Sequence, residues 1–232
     1  MIGRVLLAAL LAGIAAGLVM ALLQFARITP LIIAAEKYET SGAHEHGAGT
    51  PDHAHDHDAD WKPDDGLERT LYTALTAMVT GAAFAAMLAG AALLLGKSIT
   101  PQSGVLWGLA GFIAVSLAPA AGLPPELPGM AAADLGARQV WWIATIALTA
   151  AGLALFAFRR ELWAKGAGAL AIALPHLMGA PQPANFDGAV PPGLAALFVA
   201  NSLAANAVFW CVLGTVLGFA LSYFAKDAAH GP

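Results

Sequence analysis

Between Glu45 and Asp60 the chain reads EHGAGTPDHAHDHDAD, and with His44 this stretch holds five histidines within fourteen residues: His44, His46, His53, His55 and His57. Glu45, Asp52, Asp56, Asp58 and Asp60 are interleaved with them. Imidazole and carboxylate are ligands for divalent transition metals. Alternate residues of an extended chain share a side, so His53, His55 and His57 can converge while the aspartates face another way. The stretch is too polar to fold alone, and its glycine and proline favour a tether over a cage. The expectation is a labile collector of divalent metal, weighed against a solvated acidic linker whose histidines are incidental.

A second chemical region lies between Leu117 and Trp142. Pro119, Pro124, Pro125 and Pro128 lack amide donors and push the residues before them out of helical backbone, so Glu126 in PPELP stands on irregular chain. At membrane depth such backbone survives only against protein or a wet cavity, so the segment either caps a helix pair or lines a cavity. Asp134 and Arg138 are spaced for a helical ion pair, directly before Trp141 and Trp142, which suit a membrane interface. Further on, His176 lies in ALPHLMGAPQPANFDG, where Pro175, Pro181 and Pro183 are expected to interrupt any helix. A ligand or proton-relay role for His176 competes with a plain interfacial histidine. Glu126 and His176 are expected to meet at one vestibule beside Asn201, holding metal through one oxygen and one nitrogen. Ser202 and Asn206 share a helix face and either bond neighbouring helices or line a polar path.

The elements that carry these groups are membrane spans. The composition is 59% hydrophobic and only 11% charged, outside the range of soluble domains. The expected fold is all-α, a polytopic transmembrane helix bundle with about six apolar segments, five or six of them spans, and a disordered His/Asp-rich loop after the first. Residues 1–27 form the first span, 28–69 the loop, 70–226 the bundle with proline-rich breaks at 119–128 and 175–192, and 227–232 a tail. Val5 to Ala26 exceeds a signal-peptide core, and Gly13 and Gly17 give it a packing face, so it reads as an uncleaved span. Thr100 and Pro101 start another helix, and Pro191 and Pro192 the last, which carries a second tight face at Gly214 and Gly218. The run 166–178 is short enough to be a span, a buried helix or a re-entrant segment. Cys211 is the single cysteine, which leaves no disulfide framework and no cysteine zinc site.

Charge sets the orientation. Glu36 to Glu68 carries ten acidic residues and two lysines, a balance of −8, whereas the other residues carry five acidic and nine basic, +4. The basic residues form no dense stripe, which argues against a nucleic-acid partner. If six runs cross, Arg4, Lys97, Arg159, Arg160, Lys165 and Lys226 share one side and Arg27, Lys37, Lys62, Arg69 and Arg138 the other. The short, densely basic Arg159–Lys165 loop makes the first side cytoplasmic, with both termini, and leaves the histidine loop outside.

LAPAAGLPPELPG (Leu117 to Gly129), ARQVWW (Ala137 to Trp142) and LPHLMGAP (Leu174 to Pro181) resemble the CbtA family of proposed cobalt transporter subunits, and the likeness runs through nearly the whole chain. The resemblance implies a multi-pass bacterial inner-membrane protein of five or six spans, linked to cobalamin metabolism, importing cobalt with a small single-span CbtB-like partner. It carries over no catalytic residues. The residues themselves do not select cobalt over nickel, zinc or copper. There is no Walker phosphate loop, and no HExxH or GxSxG motif to suggest a hydrolase, so the expectation is not an enzyme. A metal sensor or metallochaperone that binds without transport is the alternative.

Overall fold

A computed structural model of the chain describes residues 2–43, 66–185 and 188–230. Those residues are helices and their connections, with no strand among them. In chain order the helices are α1 (Ile2–Leu23), α2 (Thr29–Ala43), α3 (Leu67–Leu94), α4 (Pro101–Phe112), α5 (Ala118–Ala120), α6 (Leu135–Phe158), α7 (Leu162–Met178) and α8 (Pro192–His230). Two five-residue π-helical turns join α1 to α2 and α4 to α5: π1, Gln24–Ile28, and π2, Ile113–Leu117. The five histidines of the sequence-predicted loop, with Asp52, Asp56 and Asp58, lie outside the described residues.

Both π turns have the same cause. Pro30 and Pro119 have no amide hydrogen to complete a helical ladder, and each ring crowds the turn before it. In each case the helix widens two residues upstream of the proline: the Thr29 amide donates to the Gln24 carbonyl and the Ala118 amide to that of Ile113, both five residues back. The chain then runs on through the proline. Helix therefore continues through Pro30 to Ala43, further than the first apolar run alone indicates. A similar correction holds for Pro175, which was expected to interrupt α7. The helix continues through it to Met178, because near a helix end the ring costs a single bond.

Among the described residues, five stretches are long and apolar enough to cross a membrane: Ile2–Tyr38, Leu67–Leu94, Pro101–Ala120, Leu135–Phe158 and Pro192–Asp227. By contrast α7, at 17 residues, reaches about 25 Å at 1.5 Å per residue, short of a hydrocarbon core of about 30 Å. It folds back along α6, with Gly168 against Gly152 and the Lys165 ammonium on the Phe156 carbonyl.

Small residues bring the long helices together. On α1, Gly13 and Gly17 lie directly on the α3 backbone at Ala82 and Met78; on α4, Gly104 and Gly108 lie on α8 at Gly214 and Trp210. A Cβ at any of the four would enter the neighbouring backbone. Ala8, Ala12, Ala16, Ala85 and Ala89 fill the rest of the α1–α3 seam, giving the close packing through which helices associate in lipid. Against it packs an aromatic and aliphatic knot. Phe84 of α3 meets Trp210 of α8 at 4.9 Å between rings and Phe209 at 6.4 Å, with Leu213 and Leu217 fully buried beneath. Large apolar side chains such as Leu71, Val79, Val140 and Ile143 point outward, as an apolar solvent allows.

Contacts sort the charged residues to two ends. Arg4 pairs with Asp227 at 3.8 Å, and Lys97 lies over the Phe158 ring, 5.2 Å from its centre. The beginning of α1, the ends of α3, α6 and α8 and the start of α7 therefore share a basic end. At the other end lie Glu36 with Arg69 and Glu126 with Arg138.

Candidate functional site

The site is built where helices are interrupted. At the end away from Arg4, the connection from α5 to α6 passes through Pro124 and Pro125 in non-helical backbone. It turns at Leu127–Met130, where Gly129 takes a positive φ of 79°. Asp134 then caps α6, its carboxylate accepting from the Ala137 amide at 2.9 Å. That cap corrects the expected Asp134–Arg138 pair. Arg138 reaches back twelve residues and donates to Glu126 at 2.7 Å, with both side chains about three-quarters buried. A charge-assisted bond so placed contributes about 1.5–3 kcal/mol, enough to hold the proline-rich connection against the first turn of α6.

His176 is held separately. In the last turn of α7 its ring meets Trp141 edge-on at 5.8 Å, while the Trp141 indole donates to the Pro175 carbonyl at 3.1 Å. Glu126 and His176 thus belong to successive turns of α6, through Arg138 and Trp141, and His176 does not line the cavity that Glu126 lines. Asn201 donates to the Leu197 carbonyl of its own helix. Among the described residues no group of three or more histidine, cysteine, aspartate or glutamate side chains is placed to hold a metal ion.

The structure instead assembles a polar cleft. One cavity, of about 390 Å³, lies between π2, the proline-rich connection, α6 and α8, and is lined by Ser116, Glu126, Arg138, Gln139 and Asn206. A second, of about 460 Å³, lies between π1, α3 and α8, and is lined by Gln24, Arg69, Thr73, Thr76 and Asn206. Asn206 is common to both. Its amide nitrogen donates to the Ser202 carbonyl at 2.9 Å, which fixes the side chain's orientation, because a carbonyl can only accept. The Oδ1 oxygen accepts from the Ser116 hydroxyl at 3.5 Å, beside the first cavity. Phe84 and Phe209 line the inner wall of the second cavity, and the buried knot continues beyond them.

Where α2 and α3 come side by side, Arg69 donates to Glu36 at 3.1 Å. This ion pair joins the helices on either side of residues 44–65. Neither it nor Gln24 and Ser116 was singled out from the sequence. A signal existed for Gln24, a lone polar side chain in an uncharged run, and for the cavity-lining face of α3, where Thr73, Thr76 and Thr80 recur at helical spacing. Glu36 and Arg69, 33 residues apart, leave no local pattern.

A bundle of long apolar helices with a polar cleft at one end defines an integral, multi-pass membrane protein. The profile of the family described as "Probable cobalt transporter subunit (CbtA)" matches residues 2–222, nearly the whole chain, and the protein belongs to that family. No curated protein and no solved structure matches it.

Proposed function

We propose that the chain is the membrane subunit of a transporter for a divalent transition metal, with cobalt, taken up for cobalamin synthesis, as the first candidate. Metal is the substrate, and histidine–carboxylate chemistry by itself suits nickel or zinc equally well. The observation that carries the reading is the pair of cavities with polar lining, sharing Asn206, at the end of an otherwise apolar bundle where α2 and α3 flank residues 44–65. In this reading His44, His46, His53, His55 and His57, with Asp52, Asp56 and Asp58, gather metal outside the membrane. Glu126 receives it at the mouth of the cleft, and His176 serves the same end of the bundle. Cobalt as the cargo rests on the family description alone.

The gathering of Arg4, Lys97 and Lys165 at one end supports a cytoplasmic assignment for that end under the positive-inside rule. The histidine loop is then periplasmic and the membrane a bacterial inner membrane. A subunit has a partner, and a single-span CbtB-like helix in the same bilayer fits the role. A second reading, a metal sensor or metallochaperone, draws on the buried knot of Phe84, Phe209 and Trp210, which closes the cleft from below. Flux separates the two. Purified chain in proteoliposomes, with and without the partner, is expected to carry Co²⁺ inward; binding without flux under both conditions would leave the sensor.

A further inference from the structure

At the basic end, a cavity of about 500 Å³ lies between α1, the end of α3, the α3–α4 connection and α8. That is the size of a small-molecule site, about 300–1,000 Å³. Two features of the chain make it. Gly218 brings α8 onto the Thr100 carbonyl at the start of α4, and α8 then continues past that contact through Leu221 and Phe224 to the Arg4–Asp227 pair. On the facing wall α3 presents the short side chains of Ala89 and Ala92, which leave the space between the helices open.

The walls of this cavity are apolar and its edge is cationic. Val5, Leu93, Ile99, Leu221 and Phe224 line it, so water inside would lack the polar partners it needs. Arg4 and Lys97 line it as well, both exposed. Lys97 is placed by the way α3 ends. Gly96 takes a φ of 63°, its amide donates to the Leu93 carbonyl at 3.0 Å, and the Lys97 amide donates to the Ala92 carbonyl at 2.8 Å, which folds Lys97 back over the last turn. Among the described residues no carboxylate pairs with Lys97, whose ammonium lies over the Phe158 ring. Arg4 meets Asp227 at 3.8 Å, but both side chains are about half exposed or more, and Asp227 does not line the cavity. The Ser98 and Ser222 hydroxyls lie on the same cavity with no protein partner among the described residues.

We propose that this cavity binds one anionic phospholipid of the surrounding bilayer, with its phosphate between Arg4 and Lys97 and one acyl chain along the apolar walls. Charge complementarity selects the headgroup, and basic pockets between membrane helices hold acidic headgroups in this way. A free phosphate would meet the cations and leave the apolar walls wet. A lipid without net charge would cover the walls and leave the cations unmatched. An anionic lipid does both, and the Ser98 and Ser222 hydroxyls supply neutral donors for its phosphate and ester oxygens. Leu93 is exposed at the rim, so an acyl chain enters from the bilayer without crossing the bundle. The site does not depend on the transport reading; it requires only that the bundle spans a membrane.

The test titrates the full chain, purified in detergent, with dioleoylphosphatidylglycerol or dioleoylphosphatidylcholine and counts bound lipid by native mass spectrometry. One phosphatidylglycerol per chain is expected to be held about tenfold more tightly than phosphatidylcholine. Lys97→Gln and Arg4→Gln each remove one basic residue beside the headgroup and are each expected to weaken it about fivefold. Both side chains are exposed, so these variants keep the fold. Ser222→Phe fills the cavity, keeps both charges, and is expected to weaken binding about tenfold. Arg159→Gln removes a charge that does not line the cavity and is expected to change nothing. Equal retention of the two lipids, full affinity in both glutamine variants at Arg4 and Lys97, or a loss in Arg159→Gln as large as theirs overturns the site. Displacement of the phosphatidylglycerol by an equal concentration of inorganic phosphate overturns it too, since the apolar walls would then play no part.

Discussion

The basic end and the cleft end of this bundle are made by the same helices, and they differ in what holds them. Toward the basic end, α1 and α3 meet through Gly13, Gly81 and a seam of alanines, and α4 meets α8 through Gly104 and Gly214. Toward the other end the same stretches carry Gln24, Thr73, Ser116 and Asn206, two of them widen into π turns, and cavities replace contact. The change comes within a turn of Trp210, whose ring closes the packed half while Asn206, four residues earlier, belongs to the cleft. Backbone proximity joins the helices of the first half; in the second, the Glu36–Arg69 and Glu126–Arg138 pairs join elements that stand further apart. A cavity of about 500 Å³ lies at the basic end too, but its walls are mainly apolar, with Val5, Leu93, Ile99 and Phe224 among them; in a solvent as apolar as the side chains themselves, close approach is the available source of cohesion, so the glycine and alanine seams carry the stability.

The largest effect is expected from filling the packed half. A Cβ at Gly214 would enter the Gly104 carbonyl and lie 2.7 Å from the Gly108 amide nitrogen. Gly214→Leu therefore has to push α4 off α8, at a cost of at least about 3 kcal/mol. Unfolding of the purified protein in detergent is expected to show most of it lost. A Gly214→Leu chain of wild-type stability would mean that the two halves are not held differently after all.

Next comes the ion pair at the cleft. Arg138→Gln leaves the Glu126 carboxylate partly buried without its guanidinium, and a loss of about 1.5–3 kcal/mol is expected. Restoring neutrality in the Glu126→Gln, Arg138→Gln double variant should return part of that loss, since two amides can still bond across the gap. A coupling energy near zero in the double-mutant cycle would place the stability of this half elsewhere.

Much of the packed half is legible in the sequence. Gly13, Gly17, Gly214 and Gly218 announce their faces by spacing alone, and Thr100 with Pro101 announces a helix start that the Thr100–Ser103 capping box completes. The cleft half is less legible, for a physical reason. Proline rules predict a break wherever a donor is missing, yet at Pro30 and Pro119 a π turn absorbs the defect and at Pro175 the helix end does. The carboxylate of Glu126 is visibly on irregular chain, but its partner is set by how the connection folds back, so the local Asp134–Arg138 spacing misleads. Gln24 shows in the sequence only as a lone polar side chain in an apolar run, and its place beside Asn206 on one cavity comes from the fold.

A smaller effect tests the join of α6 and α7. Trp141→Phe keeps an aromatic ring beside His176 and removes the indole donor to the Pro175 carbonyl, a single bond of 3.1 Å, together with the second ring of a buried side chain. A loss of about 1 kcal/mol is expected, with faster amide exchange confined to the last turn of α7. Faster exchange throughout α6 would show that this bond secures the cleft wall as well.

The smallest effect on the bundle is expected from the residues with the most metal chemistry. Replacing His44, His46, His53, His55 and His57 together by serine leaves in place the contacts among the described residues, where the Glu36–Arg69 pair joins α2 to α3 and the glycine seams join the long helices. Unfolding in detergent should therefore be unchanged. Metal binding should not be. Imidazole binds metal only in its neutral form, so loop-dependent Co²⁺ binding is expected to weaken as the pH falls and the histidines take up protons. The serine variant should lose this pH-dependent fraction. Equal Co²⁺ binding by the two chains at pH 7.5 would remove the loop from the metal's route, and a loop-dependent shift in unfolding would tie the two halves together through residues 44–65.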